Sequence, residues 1–219
     1  MNDRSTATED YVKTIYSHTE WQDEPITPSQ LAARLGLAAS TVTEMVKKLA
    51  AQGLVDHRPY GSVELTGEGR LLALRLLRRH RIIETWLVMQ QGYGWDEVHD
   101  EAEVLEHAVS DRLVESISAS LGHPVRDPHG DPIPTAEGRM PQFDAFGLLE
   151  LQAGQSGSVS RISDRDPELL RYLAEHGIAP GVEVTVRERG KYSGTLLITT
   201  PNGEVHLSPD AALAVWVER

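Results

Sequence analysis

Apolar residues recur at helical spacing through the first half of the chain and alternate with polar ones through its last third. The segment Thr27-Pro28-Ser29-Gln30-Leu31-Ala32-Ala33-Arg34-Leu35 opens on a capping threonine with proline at the first helical position, and Leu31, Ala32 and Leu35 share one face. Gly36 stops that helix. Residues 39–49 predict a second one, with Val42, Met45, Val46 and Leu49 inward and Ser40, Thr41, Thr43, Glu44 and Lys47 outward. From Gly53 to Thr66 the pattern reads strand, turn, strand. Two longer amphipathic helical segments follow, residues 71–91 and 96–121, parted by Gly92-Tyr93-Gly94. Residues 122–144 then bring Pro124, Pro128, Gly130, Pro132, Pro134, Gly138 and Pro141, a density that continues neither helix nor sheet. This predicts a linker or an ordered Pro-rich loop. Beyond it, period-two runs at 158–162, 182–186, 195–199 and 214–217 predict the short strands of a small barrel. A single helix from Pro167 to His176 interrupts them, stopped by Gly177.

Composition narrows the function. No apolar run reaches the roughly 18 residues needed to span a bilayer, the N-terminus MNDRSTATEDYVK has no apolar signal core, and the absence of cysteine removes disulfides and thiolate metal sites. The expectation is a cytoplasmic protein with no membrane partner. The net charge of −12 excludes a basic nucleic-acid binder in bulk, but residues 26–62 carry Arg34, Lys47, Lys48 and Arg58 against Glu44 and Asp56, a local +2. The sign reverses where helix, glycine turn, helix and strand pair follow in order. That order is the layout of a winged helix-turn-helix, and isolated helices of an α domain do not require it. The candidate contacts to double-stranded DNA are Thr27 and Ser29 at the start of the first helix, Ser40, Thr41, Thr43 and Glu44 on the reader, and Lys47, Lys48 and Arg58 for the phosphates.

The segment from His99 to His107 is the other unusual stretch. At about 100° per residue, His99, Glu103, Glu106 and His107 fall on one narrow stripe. His80 and Glu84 share a face at i,i+4 on the preceding helix, and Asp10 lies on the first helix. Carboxylates gathered like this repel one another unless a cation is present. Oxygen and imidazole donors without sulfur favour Mn²⁺ or Fe²⁺, with Zn²⁺ or Co²⁺ as in-vitro substitutes. The histidines at 18, 57, 123, 129, 176 and 206 read as surface or structural residues.

Taken together, Thr8-Glu9-Asp10-Tyr11-Val12-Lys13-Thr14-Ile15-Tyr16, Ser40-Thr41-Val42, Gly53-Leu54-Val55, Leu65-Thr66-Gly67-Glu68-Gly69, Arg79-His80-Arg81 and the segment from His99 to His107 resemble the diphtheria toxin repressor family of metal-dependent regulators. The resemblance spans nearly the whole chain. It implies an α+β protein with a winged helix-turn-helix domain (1–70), a helical dimerisation and metal domain (71–141, its Pro-rich loop 122–141), and an SH3-like, FeoA-like small β-barrel (145–219). It further implies a homodimer that represses metal-uptake genes at palindromic operators, with one or two dimers per operator, and that is not an enzyme. Iron-responsive members have Met and Cys where this chain has Asp10 and Glu103, whereas manganese-responsive members have Asp and Glu. The resemblance is therefore to the manganese branch, with a primary site of Asp10, Glu103, Glu106 and His107; an Fe²⁺-responsive repressor is the alternative. Lys13 stands where that branch has a second carboxylate, which disfavours its paired-metal arrangement. His80, Glu84 and His99 match an ancillary site completed from the SH3-like domain, with Asp166 as the expected contributor and Leu169 in place of the other ligand. A metalloenzyme would need a pattern such as HExxH, which is absent. A winged-helix regulator of an organic ligand would bind its operator without regard to metal.

Overall fold

The computed structural model describes residues 5–57 and 61–219. The chain divides into two compact units: Met1–Arg79 with Pro134–Met140, and His80–Ile133 with Pro141–Arg219.

The first unit holds α1 (Thr6–Thr19), α2 (Pro28–Leu35), α3 (Ala39–Ala51), β1 (Val55–His57), β2 (Val63–Leu65) and the beginning of α4 (Gly67–Trp86). Thr27 and Gln30 close a reciprocal cap on α2: the Thr27 hydroxyl accepts from the Gln30 amide, and the Gln30 side chain accepts from the Thr27 amide. Gly36 ends the helix at φ 64°, a left-handed conformation in which its N–H reaches the last carbonyls. The core is formed by Ile26, Leu31, Val42, Leu49 and Leu54, all fully buried, with Tyr11 and Ile15 from α1. β1 and β2 pair antiparallel, Val55 opposite Leu65 and His57 opposite Val63. Residues 134–140 are ordered: Met140 packs on Val12, Tyr16 and Leu77, and Arg78 donates to the Pro134 carbonyl at 3.0 Å.

In the second unit α4 ends in one wide π turn, Leu87–Gln91. The single helix expected over 96–121 is two helices, α5 (Val98–Glu106) and α6 (Asp111–Ser120). Ser110 breaks it: its extended backbone (ψ 152°) starts α6 and its hydroxyl accepts the Leu113 amide, so the apolar period runs on while the backbone does not. The C-terminal part is one antiparallel sheet of order β3-β8-β4-β5-β6-β7, comprising β3 (Ala145–Gly147), β4 (Ser156–Ile162), β5 (Glu183–Arg189), β6 (Leu196–Thr200), β7 (Gly203–Leu207) and β8 (Val215–Glu218). It encloses Leu148, Ile162, Ile178, Leu196 and Val215 together with Leu170 and Leu173 of α7 (Pro167–Glu175). β3, β7 and the short α8 (Pro209–Leu213) escape the sequence pattern, because β3 has three residues and β7 carries only two apolar ones. Among the described residues no helix is long and apolar enough to cross a membrane.

Candidate metal centre and DNA-reading helix

On α3 the fold buries Val42, Val46 and Leu49 and leaves Ser40, Thr41, Thr43, Glu44, Lys47 and Lys48 exposed. Lys47 pairs with Glu44 at 2.8 Å, with 65% and 74% of the two side chains in water. Such a pair contributes under about 1 kcal/mol, so Lys47 can leave it for a phosphate at small cost. Thr43 is occupied: its hydroxyl donates to the Ala39 carbonyl at 2.8 Å. Thr27 and Ser29 are exposed at the start of α2. Arg58 lies outside the described residues.

The second unit gathers ionisable side chains around Glu84, which is fully buried on α4. One turn earlier, His80 donates from Nδ1 to Glu106 Oε2 at 2.6 Å. Its Nε2 lies 3.0 Å from Glu84 Oε1 and 3.3 Å from His99 Nδ1. His99, on α5, stands 3.4 Å from Glu84 Oε1 and 3.1 Å from Asp164 Oδ2. His80, Glu84, His99 and Asp164 each offer a donor within 4.8 Å of the others. Imidazole nitrogens surround the Glu84 carboxylate, yet neither of its oxygens makes a hydrogen bond. The four donors are gathered closely enough to serve one cation.

The electrostatics agree. Burial by itself would raise the Glu84 carboxyl, but the imidazoles of His80, His99 and His129 around it hold it well below the usual range. Burial would lower His99, yet the carboxylates of Asp164 and Glu84 beside it push it up to about 11. Asp164 is lowered to about 2, because His99 outweighs the cost of burying it. A proton on His99 stabilises anions that a divalent ion would stabilise better.

Asp164, and not the expected Asp166, stands beside His99 in the structure. Asp166 is exposed and caps α7, its Oδ1 accepting the amides of Glu168 and Leu169. An aspartate directly before a helix-opening proline is already used as a cap, and that signal pointed to the other aspartate of Asp164-Arg165-Asp166. Glu103, Glu106 and His107 stay on or next to α5: Glu106 is fully buried, its Oε1 3.5 Å from His107 Nε2, and Glu103 is 3.6 Å from His99 Nε2. Asp10 is half-buried on α1 of the first unit, where Lys13 is buried.

Sequence reasoning also passed over His129 and Asp127. His129 is fully buried, not at the surface, and its Nε2 donates to the Trp95 carbonyl at 2.7 Å. Its Nδ1 stands 3.9 Å from both Glu84 Oε2 and Asp127 Oδ1. Burial and the negative charges of Asp131 and Glu84 raise Asp127 well above the usual carboxyl range.

Comparison with known proteins places this geometry. Residues 3–63 match the family model described as iron dependent repressor, N-terminal DNA binding domain; residues 66–135 match its metal binding and dimerisation domain, and residues 146–219 the FeoA domain. The iron-dependent repressor IdeR of Mycobacterium tuberculosis H37Rv is 32% identical over 233 residues, covering all of both chains. The chain belongs to the diphtheria toxin repressor family. The diphtheria toxin repressor of Corynebacterium diphtheriae is 36% identical over 237 residues, covering 100% of this chain and 99% of the other. Among solved structures, a manganese-dependent transcriptional repressor in complex with manganese superposes with a TM-score of 0.92 at 49% identity, covering 96% of this chain and 98% of that one. The manganese regulator SloR does so with 0.82 at 34%, covering 97% and 98%. Membership carries the coarse function, that of a metal-dependent, DNA-binding transcriptional repressor rather than an enzyme. Within the family frame the winged helix, the helical metal domain and the SH3-like domain are those expected.

Proposed function

We propose that this chain represses metal-uptake genes in response to Mn²⁺, binding a palindromic operator as a homodimer, with the domain limits 1–70, 71–141 and 145–219. The observation that carries the choice of metal is the donor set: buried carboxylates and imidazoles in a chain without cysteine. Asp10 and Glu103 supply hard oxygens where iron-responsive relatives have sulfur, and Mn²⁺, low in the Irving–Williams order, depends on hard anionic ligands more than its competitors do. A bound divalent ion supplies positive charge that holds carboxylates and imidazoles in one shell. Asp10, carried by α1, completes a primary site with Glu103, Glu106 and His107. Since α1 packs in the core that also seats the reader helix, holding Asp10 biases the reader spacing toward the operator. A coupling of about 1–3 kcal/mol changes operator affinity about 5- to 150-fold. His80, Glu84, His99 and Asp164 form the ancillary site and hold the carboxylate of Glu106 through His80. Met89 and Val104, exposed on the helical part of the second unit, supply apolar surface for the partner copy.

Fe²⁺ is the second reading, supported by the relatives named iron-dependent repressors. Purified metal-free protein titrated on operator DNA with Mn²⁺, anaerobic Fe²⁺ and Zn²⁺ tests both: activation by Mn²⁺ at the lowest free concentration supports the proposal, and a stronger response to Fe²⁺ replaces it.

A further inference from the structure

One side chain on the outward face of α3 runs against the charge that DNA favours. Val42, Val46 and Leu49 fix the buried side of the helix, and at about 100° per residue Glu44 falls almost opposite them, one turn after Ser40 and one before Lys47. It is the one acid in the sequence of α3, and 74% of its side chain is in water. A carboxylate carried there meets a duplex whose phosphates repel it. It lowers affinity unless the groove gives it a donor.

A carboxylate only accepts hydrogen bonds, and the major-groove edges offer donors at two bases, the N6 amine of adenine and the N4 amine of cytosine. Adenine sets its N7 acceptor beside the amine, so a carboxylate on that edge faces a lone pair. Guanine shows acceptors alone, and thymine an acceptor and a methyl group. Cytosine is what remains. The neighbours on α3 fit this division. The Thr43 hydroxyl has already given its proton to the Ala39 carbonyl at 2.8 Å, and Lys47 holds Glu44 Oε1 at 2.8 Å through an exposed, screened pair. When Lys47 turns to a phosphate, Glu44 loses its donor, and the cytosine amine replaces it.

We propose that Glu44 selects cytosine at one position of each operator half-site, accepting from its N4 amine while Lys47 moves from Glu44 to a phosphate. The assignment rests on α3 being the reader helix, as the proposed function holds.

Selection from a pool of randomised duplexes by the full-length, Mn²⁺-loaded protein tests it. Wild type should enrich sequences with cytosine fixed at one position per half-site. Glu44→Ala should relax that position and keep the others, losing discrimination by about 5- to 150-fold. Glu44→Gln, whose amide both donates and accepts, should move the preference to adenine. A second measurement changes the DNA instead: a pyrimidine lacking the 4-amino group, put in place of that cytosine, should weaken wild type by the same factor and Glu44→Ala not at all. A wild-type selection without a fixed cytosine overturns the assignment, as does cytosine retained by Glu44→Ala. An equal gain of Glu44→Ala on every duplex also overturns it and makes Glu44 a brake on the charge of Lys47. Failure of the proposed function looks different and takes the assignment with it, since wild type would then enrich no sequence with Mn²⁺ or Fe²⁺.

Discussion

On α3, Glu44 and Lys47 meet in water, with well over half of each side chain exposed; on α4, Glu84 meets three imidazoles with no exposure at all. Carboxylates and nitrogens serve in both places, but the solvent decides what they can do. The exposed pair is screened and easily exchanged, so a phosphate can replace Glu44 as the partner of Lys47. The buried one has no water to fall back on and requires a proton or a cation. The reader therefore tolerates substitution with changes in DNA affinity alone, while any change at the centre alters stability and metal binding together.

His80→Ala should break this contrast most sharply. It strips Glu106 and Glu84 of the ring between them and should destabilise the metal-free protein by about 3–5 kcal/mol, as read by urea denaturation. A loss below about 1 kcal/mol would mean that the carboxylates are served by water. Next in size, His107→Ala should abolish metal-stimulated operator binding for every ion, whereas Glu103→Cys should weaken Mn²⁺ activation and favour Fe²⁺. Operator binding against free metal distinguishes them, and unchanged Mn²⁺ and Fe²⁺ responses in Glu103→Cys would remove the selectivity argument.

A third effect follows from His99, raised to about 11 in the fold from its ordinary 6.5. Its contribution to metal-free stability is complete below pH 6.5 and is lost as pH rises through 11. A cation must displace that proton, so Mn²⁺ affinity at the ancillary site should rise with pH by up to about tenfold per unit around neutrality. Calorimetry in buffers of different ionisation enthalpy should register the released proton, and a pH-independent affinity would refute it. The smallest effect belongs to the reader. Lys47→Ala should lower affinity for all duplexes, reduce the salt slope by about 1 and leave stability within about 0.5 kcal/mol; a change confined to the preferred operator would make Lys47 a base reader.

The legible parts of the sequence are those whose chemistry is local. The apolar period of α3 fixes which of its side chains face water, and the i,i+4 pair His80 and Glu84 shares a buried face by helical geometry alone. Ser110 was hidden because the period of apolar residues continues through Val109 and Val114 on both sides of the break. Asp164 and His129 were hidden for another reason. Their partner is Glu84, tens of residues away, and only the closing of the chain brings them together. A single histidine in a Pro-rich stretch carries no pattern to distinguish burial from exposure.

The clasp that carries His129 has a kinetic meaning. Asp127 and Val125 are tied across it to Asp131 and Ile133, and the His129 carbonyl is tied to Ile162 of β4. At Gly130 (φ 91°) a Cβ would stand 2.0 Å from the Ser160 carbonyl oxygen, so the backbone there has one way to lie. A backbone held like this is ordered when the chain folds and loses little freedom in any later event. A contact made to this loop then forms without a slow closing step.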